Sequence, residues 1–360
     1  MEETTESIKT IDQPLYFELA EIEQIIAHRV GNKNNEQDLI PSHNLLRTDE
    51  RLRGMLHRYF LKPFVQPELF HFTFSNEDFT LNPLYKFARE IFEDSERFAI
   101  NSVHIARYLY DLTTHPQIKS GDLFVVRFTN VAVNGKSTEA IGLFKSESKQ
   151  DFLKLETGEE SFELYCESGI NIDKLDKGAL IFNMEAGEGF RVAMVDRVNK
   201  AQEAQYWKDD FLQIAPCRDS FHHTKALMEC TRDFLMNEAP RETPMSKANQ
   251  IDLLNRSAGY FKEHEQFSRD EFEEEVFQNP DLSGAFRQYA GQNLGDMPEE
   301  KDGGFELSPH AVKKYAKGYK SVLKLDKNFH VYIHGDRSLI EQGRDEDGRK
   351  FYKIFYEEEH

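Results

Sequence analysis

Cysteine is scarce in this chain. Cys166, Cys217 and Cys230 are the only three among 360 residues, widely spaced and without a CxxC pair. An odd, scattered set excludes a disulfide framework and a cysteine-based zinc site, so reduced thiols are expected. Long hydrophobic runs are missing as well: nothing approaches the roughly 18 apolar residues that a membrane-spanning helix needs. The opening MEETTESIKTIDQP is acidic and has neither the basic nor the apolar region of a signal peptide, so a cytoplasmic location is expected. Positive charge is also short, with 45 Lys and Arg against 64 Asp and Glu and a net charge of −19. That balance excludes coating of nucleic acid by the whole surface, because such binding relies on basic side chains displacing counterions from phosphates. Contact with DNA would need a local basic patch.

What the chain has in quantity is phenylalanine, 29 residues against a single Trp, which is ample material for aromatic cores. Its length fits roughly two domains. Ala20–Val30 reads as a strand or short helix, followed by the turn VGNKNNEQD. Leu52, Met55, Leu56, Tyr59 and Phe60 share one helical stripe, with Arg51, Arg53 and Arg58 on the other face. Phe70, Phe72 and Phe74 alternate as in a strand, Asn82-Pro83 starts a helix, and a third helix covers Ser95 to about Leu112. A hairpin then turns at Asn134-Gly135. Strand patterns at Phe152–Leu155, Ser161–Cys166, Ala179–Asn183 and Phe190–Val195 extend it to an antiparallel sheet of five or six strands.

A helix around Ala226–Leu235 is expected to close the first domain, and MNEAPRETPMSKANQ with Pro240 and Pro244 reads as a linker. The expected organisation is an N-terminal α+β domain over 1–236, a linker at 237–248 and a smaller mixed C-terminal α+β domain over 249–360. The first domain places helices on one side of a largely antiparallel sheet. In the second, Ser268 and Glu271 have capping-box spacing for a helix that ends at NPDLSG. Ser308-Pro309 starts another helix, and KNFHVYIHG pairs with KFYKIFY as final strands.

Gly135-Lys136-Ser137 supplies only the end of a phosphate loop, since Asn130 stands where its first glycine belongs. HExxH, GxSxG and GxGxxG are absent. The open end of the hairpin should bring Asp122 near Glu147 and Lys149, an arrangement similar to the D…ExK site of metal-dependent nucleases. There two carboxylates hold a divalent cation and the lysine orients water. Such residues also occur as plain solvated strand ends. The pairs His330/His334 and His222/His223 lack a third ligand, and no metal or cofactor is expected.

Charge patterning is more informative. From Lys262 to Lys301 there are eleven acids and four bases; from Pro309 to Asn328 there are six lysines and one acid. Lys313, Lys314, Lys317, Lys320, Lys324 and Lys327 interleave with Tyr315 and Tyr319, a pattern suited to phosphate binding beside stacking aromatics. Its bland counterpart is a solvated face paired with the acidic helix of the same domain. Arg51, Arg53 and Arg58 form a smaller candidate patch.

Five stretches together, IIAHRVGNK, DLFVVRFTNVAVNGKSTEAIGLFKSESKQDFLKL, INIDKLDKGALIFN, YWKDDFLQI and FEEEVFQNPDLSGAFRQYA, carry a resemblance to the bacterial nucleoid-associated protein family of the NdpA type, from Ile22 to Phe355. The resemblance implies a cytoplasmic protein associated with the nucleoid through DNA or through nucleoid proteins, with no catalytic motif to carry over. The leading expectation is a non-enzymatic DNA binder using the lysine stripe. A metal-dependent nuclease at Asp122, Glu147 and Lys149, and an acidic adaptor for protein partners, are the alternatives. Oligomeric state is left open.

Overall fold

The computed structural model describes residues 14–65, 68–158, 161–197, 206–242, 245–295, 304–319, 322–332 and 339–358. The chain divides into two compact units, Met1–Cys217 and Arg218–His360. This division falls upstream of the expected linker at 237–248. The helix expected to close the first domain, Ser220–Asp233, packs its Leu227, Met228 and Cys230 among the buried residues of the second unit. Pro240 lies inside a helical run that continues from Phe234–Glu238 into Ala239–Glu242; it has no N–H to give the preceding turn, where the Leu235 and Met236 carbonyls accept from Gln250 Nε2 instead, at 2.6 and 3.0 Å.

The first unit is built on an eight-stranded sheet. Its strands are β1 (Leu15–Tyr16), β2 (Glu21–Val30), β3 (Leu69–Phe72), β4 (Gly121–Val133), β5 (Lys136–Ser146), β8 (Lys177–Phe182), β9 (Arg191–Asp196) and β10 (Ile214–Pro216), in the order β1-β4-β5-β8-β9-β3-β10 with β2 also on β4. All recorded pairings in it are antiparallel. The β4–β5 hairpin turns through Asn134 (φ 48°) and Gly135 (φ 75°) between the paired Val133 and Lys136. Two consecutive positive φ values define the type I′ turn that Asn-Gly favours.

Helices cover both faces of this sheet, not one. Leu123, Val125, Ile141 and Leu143 pack against α2 (Pro83–Glu93) and α3 (Phe98–Asp111), together with Trp207 and Phe211. The alternate residues Phe124, Val126, Phe128 and Phe144 pack against Tyr59, Phe60 and Phe64 from α1 (Glu50–Leu61) and the turn after it. The run of six buried residues Leu123–Phe128 is the reason: a strand apolar on both sides needs cover on both. Leu52 and Met55, expected on the buried stripe of α1, are instead 40% and 38% exposed, because only the last turn of that helix reaches the sheet. Asn82 anchors α2. Its Oδ1 accepts from the Leu84 and Tyr85 amides while its Nδ2 donates to the Thr73 and Leu212 carbonyls, which satisfies a fully buried side chain.

Phe152–Leu155 and Ser161–Cys166 do not join this sheet. They fall in a separate two-stranded ribbon, β6 (Gln150–Thr157) with β7 (Phe162–Gly169).

The second unit packs α4 (Ser220–Asp233), α5 (Lys247–Glu263), α6 (Pro280–Asn293) and α7 (Pro309–Tyr315) around Phe234, Phe261, Phe272, Phe277 and Phe286. Ser268 caps a helical turn as expected, but Asn279-Pro280 begins α6 rather than ending the preceding element, with the Asn279 side chain accepting from the Asp281 and Leu282 amides. Three ribbons complete the unit: β11 (Gln266–Phe267) with β12 (Phe305–Glu306), β13 (Val322–Leu325) with β14 (Phe329–Tyr332), and β15 (Ile340–Arg344) with β16 (Lys350–Ile354). The two segments expected to form the final strand pair therefore belong to different hairpins, each closed by its nearest neighbour in sequence.

Candidate nucleic-acid interface

The lysine stripe lies on α7, the 3₁₀ turn Ala316–Tyr319 and β13–β14 of the second unit. Ser308 caps α7 and Pro309 occupies its first turn; Ala311 and Val312 turn inward, which leaves Lys313 and Lys314 outward. Three hydrogen bonds hold the element to α4. The Ser308 amide donates to Thr224 Oγ1 (2.9 Å), the buried Tyr319 hydroxyl to the Met228 carbonyl (2.5 Å), and Arg232 Nε to the Gly318 carbonyl (2.8 Å). Lys313, Lys314 and Lys317 thus stand on a segment tied to α4.

Lys313, Lys314, Lys317, Lys324 and Lys327 are all exposed, and Lys320 lies outside the described residues. Lys314 Nζ sits 5.4 Å from the Tyr315 ring centre and 5.5 Å from that of Phe221, within cation–π range, and the two rings meet edge to face at 6.4 Å. Lys225 approaches Tyr315 from α4. Among the described residues, none of Lys313, Lys314, Lys317, Lys324 or Lys327 forms an ion pair with a carboxylate. Three acids of the neighbouring run are engaged elsewhere: Arg287 bridges Asp270 and the buried Glu273, and His264 faces Glu275 at 3.3 Å. Among the described residues the stripe therefore forms no ion pair with the acidic run. Lys313 differs from the others in bordering a cleft that also carries Glu263, Glu265 and Glu306, which weakens its attraction for phosphate.

Arg51, Arg53 and Arg58 lie on α1 of the first unit, all exposed. Arg58 is bound to Asp173 at 2.7 Å and Arg53 to the Thr48 hydroxyl at 3.0 Å, which leaves Arg51 as the one with no polar side-chain partner among the described residues.

The open end of the β4–β5 hairpin does not assemble two carboxylates. Asp122 pairs across the strands with Ser146, whereas Glu147 follows Lys145 on the opposite face. Asp122 accepts from Arg29 Nε (2.8 Å) and is bonded to Lys149; Glu147 is buried and pairs with Lys145 at 2.8 Å. Each acid is thus neutralised by its own cation. Among the described residues no three His, Cys, Asp or Glu side chains gather as a metal site, and His334 lies outside them.

Pattern reasoning passed over a buried charged row on the first unit's sheet. Lys145, Lys177 and Asp196 are successive cross-strand partners on β5, β8 and β9. Lys145 and Lys177 are at most 1% exposed; Lys177 binds both oxygens of Asp196 at 3.0 and 3.1 Å. Lys145 also donates to the Lys119 carbonyl at 2.6 Å and lies 5.5 Å from the Tyr206 ring. Burial pulls the Lys145 ammonium below its usual range, against the opposing pull of Glu147, and pushes the fully enclosed Tyr206 phenol well above 10. No sequence signal separates such a lysine from a solvated strand end, because the residues that follow Lys145, Ser146-Glu147-Ser148-Lys149, are as polar as those of a surface turn.

The chain belongs to the nucleoid-associated protein YejK family, whose model matches residues 26–359. A comparison with curated proteins finds no match. Membership makes it a bacterial nucleoid-associated protein, and no described helix is long and apolar enough to cross a membrane.

Proposed function

We propose that this chain associates with the nucleoid by binding DNA directly, through Lys314, Lys317, Lys324 and Lys327 with lesser help from Lys313, and without cleaving it. One observation supports this above others: among the described residues these exposed lysines have no carboxylate partner, while Asp270, Glu273 and Glu275 of the acidic run beside them in sequence are held by Arg287 and His264. In a protein of net charge −19, lysines without paired carboxylates are where a polyanion meets least repulsion. Tyr315 and Phe221 beside Lys314 add flat apolar area against sugar and base. Binding of this kind reads backbone charge, so little sequence preference is expected.

Fluorescence anisotropy with a labelled duplex tests the reading. Lys314, Lys317, Lys324 and Lys327 changed together to Glu should weaken binding on the order of 100-fold at low salt. Unchanged affinity would remove the site. For the hydrolytic alternative, plasmid incubated with Mg²⁺ or Mn²⁺ should show no nicking beyond that of an Asp122→Ala chain.

A further inference from the structure

The β6–β7 ribbon stands apart from every core of the molecule. All eight residues of β6 are exposed, and so is every residue of β7 except the last, Gly169. Directly paired residues share a face, and the register sorts this ribbon into two unlike ones. One face carries the pairs Lys154–Tyr165 and Glu156–Glu163, with Phe152 opposite Glu167; Lys154 pairs with Glu156 and Glu167, and Tyr165 bonds Glu163. That face is finished in water. The other carries Leu153 opposite Cys166, Leu155 opposite Leu164 and Thr157 opposite Phe162, with Asp151 alone bringing charge at the base. Leu153, Leu155, Phe162 and Leu164 are 62–70% exposed. Two strands with a hydrophobic face that no described residue covers are marginal on their own in water, so this face calls for an occupant.

We infer that the occupant is the same face of a second copy of this chain, the two ribbons stacking about a two-fold axis. Three features point to it. The face is uncharged where it matters, and in a chain of net charge −19 a self-interface has to be, since like charges brought together by symmetry repel. Its apolar groups recur evenly along both strands, so a copy rotated onto it meets apolar groups along the full length. The area also fits. Eight residues span about 26 Å at ~3.3 Å each, and a face roughly 15 Å wide buries on the order of 800 Å² over both copies. That is short of the ~1,200 Å² of a tight complex, so the dimer forms and dissociates with concentration rather than being permanent. Cys166, an exposed thiol on this face, falls within the proposed interface, whereas Cys217 and Cys230 are buried.

Sedimentation equilibrium of the full chain across the micromolar range tests this. Wild type should shift from monomer to dimer. Leu155→Glu and Leu164→Glu, at exposed positions that no core depends on, should each weaken self-association about tenfold or more. A short bis-maleimide should join two wild-type chains, and Cys166→Ser should abolish that product. A chain that stays monomeric at every concentration overturns the inference, as does a dimer indifferent to both glutamates. Monomer with strong amide-exchange protection over Leu153–Leu155 would overturn it too, by placing a segment of the same chain on the face.

Discussion

Lys145 and Lys177 in the first unit and Lys314 and Lys317 in the second carry the same ammonium group into opposite surroundings. The first two are enclosed and matched with Glu147 and Asp196. The second two face solvent, without a carboxylate partner among the described residues. An enclosed charge is committed: its counter-ion and hydrogen bonds are fixed by the fold, and removing either partner strands the other in a medium that solvates it poorly. An exposed charge without a partner costs the fold almost nothing and keeps its field available to a ligand. The comparison separates lysines that hold the protein together from lysines that can act on something else, a distinction that residue type alone does not make.

The comparison breaks most visibly at Lys145. Lys145→Met leaves Glu147 buried without its cation and should destabilise the first unit by about 3–5 kcal/mol, read from its transition in urea. Adding Glu147→Leu should recover most of that loss. If Lys145→Met is as harmless as Lys317→Met, the buried pair is not what the geometry implies.

Alkaline pH probes the same interior by a second route. Burial pushes Tyr59 up to about 12 and Tyr206 and Tyr319 well above 10. A phenol with a raised folded pKa contributes stability that is complete below the unfolded value near 10 and is lost as pH climbs through the folded value. The lowered Lys145 acts in the opposite sense, its burden easing as pH rises toward 10.5. With three tyrosines against one lysine, stability should fall between pH 10 and about 12. Tyr206→Phe should soften that fall and leave neutral-pH stability unchanged or higher by about 1 kcal/mol, because the Tyr206 hydroxyl is buried without a hydrogen-bond partner.

On the acid side, His28 is buried and its Nδ1 accepts from the Ser42 amide at 3.0 Å. Burial first, and His43 second, lower it to about 4. A base lowered on folding takes up its proton more readily when unfolded, so stability should decline from about pH 6.5 down to 4, and His28→Gln should flatten that limb in a thermal-shift series. The smallest effect belongs to an exposed pair: Arg89→Ala, which removes the Arg89–Glu93 contact on α2, should leave the transition essentially where it is in the same measurement.

Where a residue's job is local geometry, the sequence was easy to read. Asn134-Gly135 demands positive φ twice and so announced the hairpin turn; Asn82-Pro83 announced a helix start. The same Asn-Pro signal at Asn279-Pro280 was misjudged as an ending, although the side-chain cap it makes is of the same kind. Where the job depends on distant partners, pattern reasoning failed in both directions. Phe152–Leu155 alternates like a sheet strand yet finds no sheet, and Lys145 ends its strand like a solvated residue yet lies in the interior. The D…ExK spacing similarly ignored that neighbouring residues on a strand face opposite ways, which is what parts Asp122 from Glu147. For the lysine stripe, composition located the cluster, but only the whereabouts of Asp270, Glu273 and Glu275 show that these carboxylates are engaged elsewhere.

The most direct test of the central claim, that the exposed lysines of the second unit meet DNA, is the salt dependence of duplex binding by the full chain. Lysines that neutralise phosphates release counterions, so four or five of them give a log–log slope of about −4. With Lys314, Lys317, Lys324 and Lys327 changed to Glu, that slope should collapse toward zero while the thermal transition stays in place. A steep slope that survives the four changes would contradict the account and move the interface to another surface.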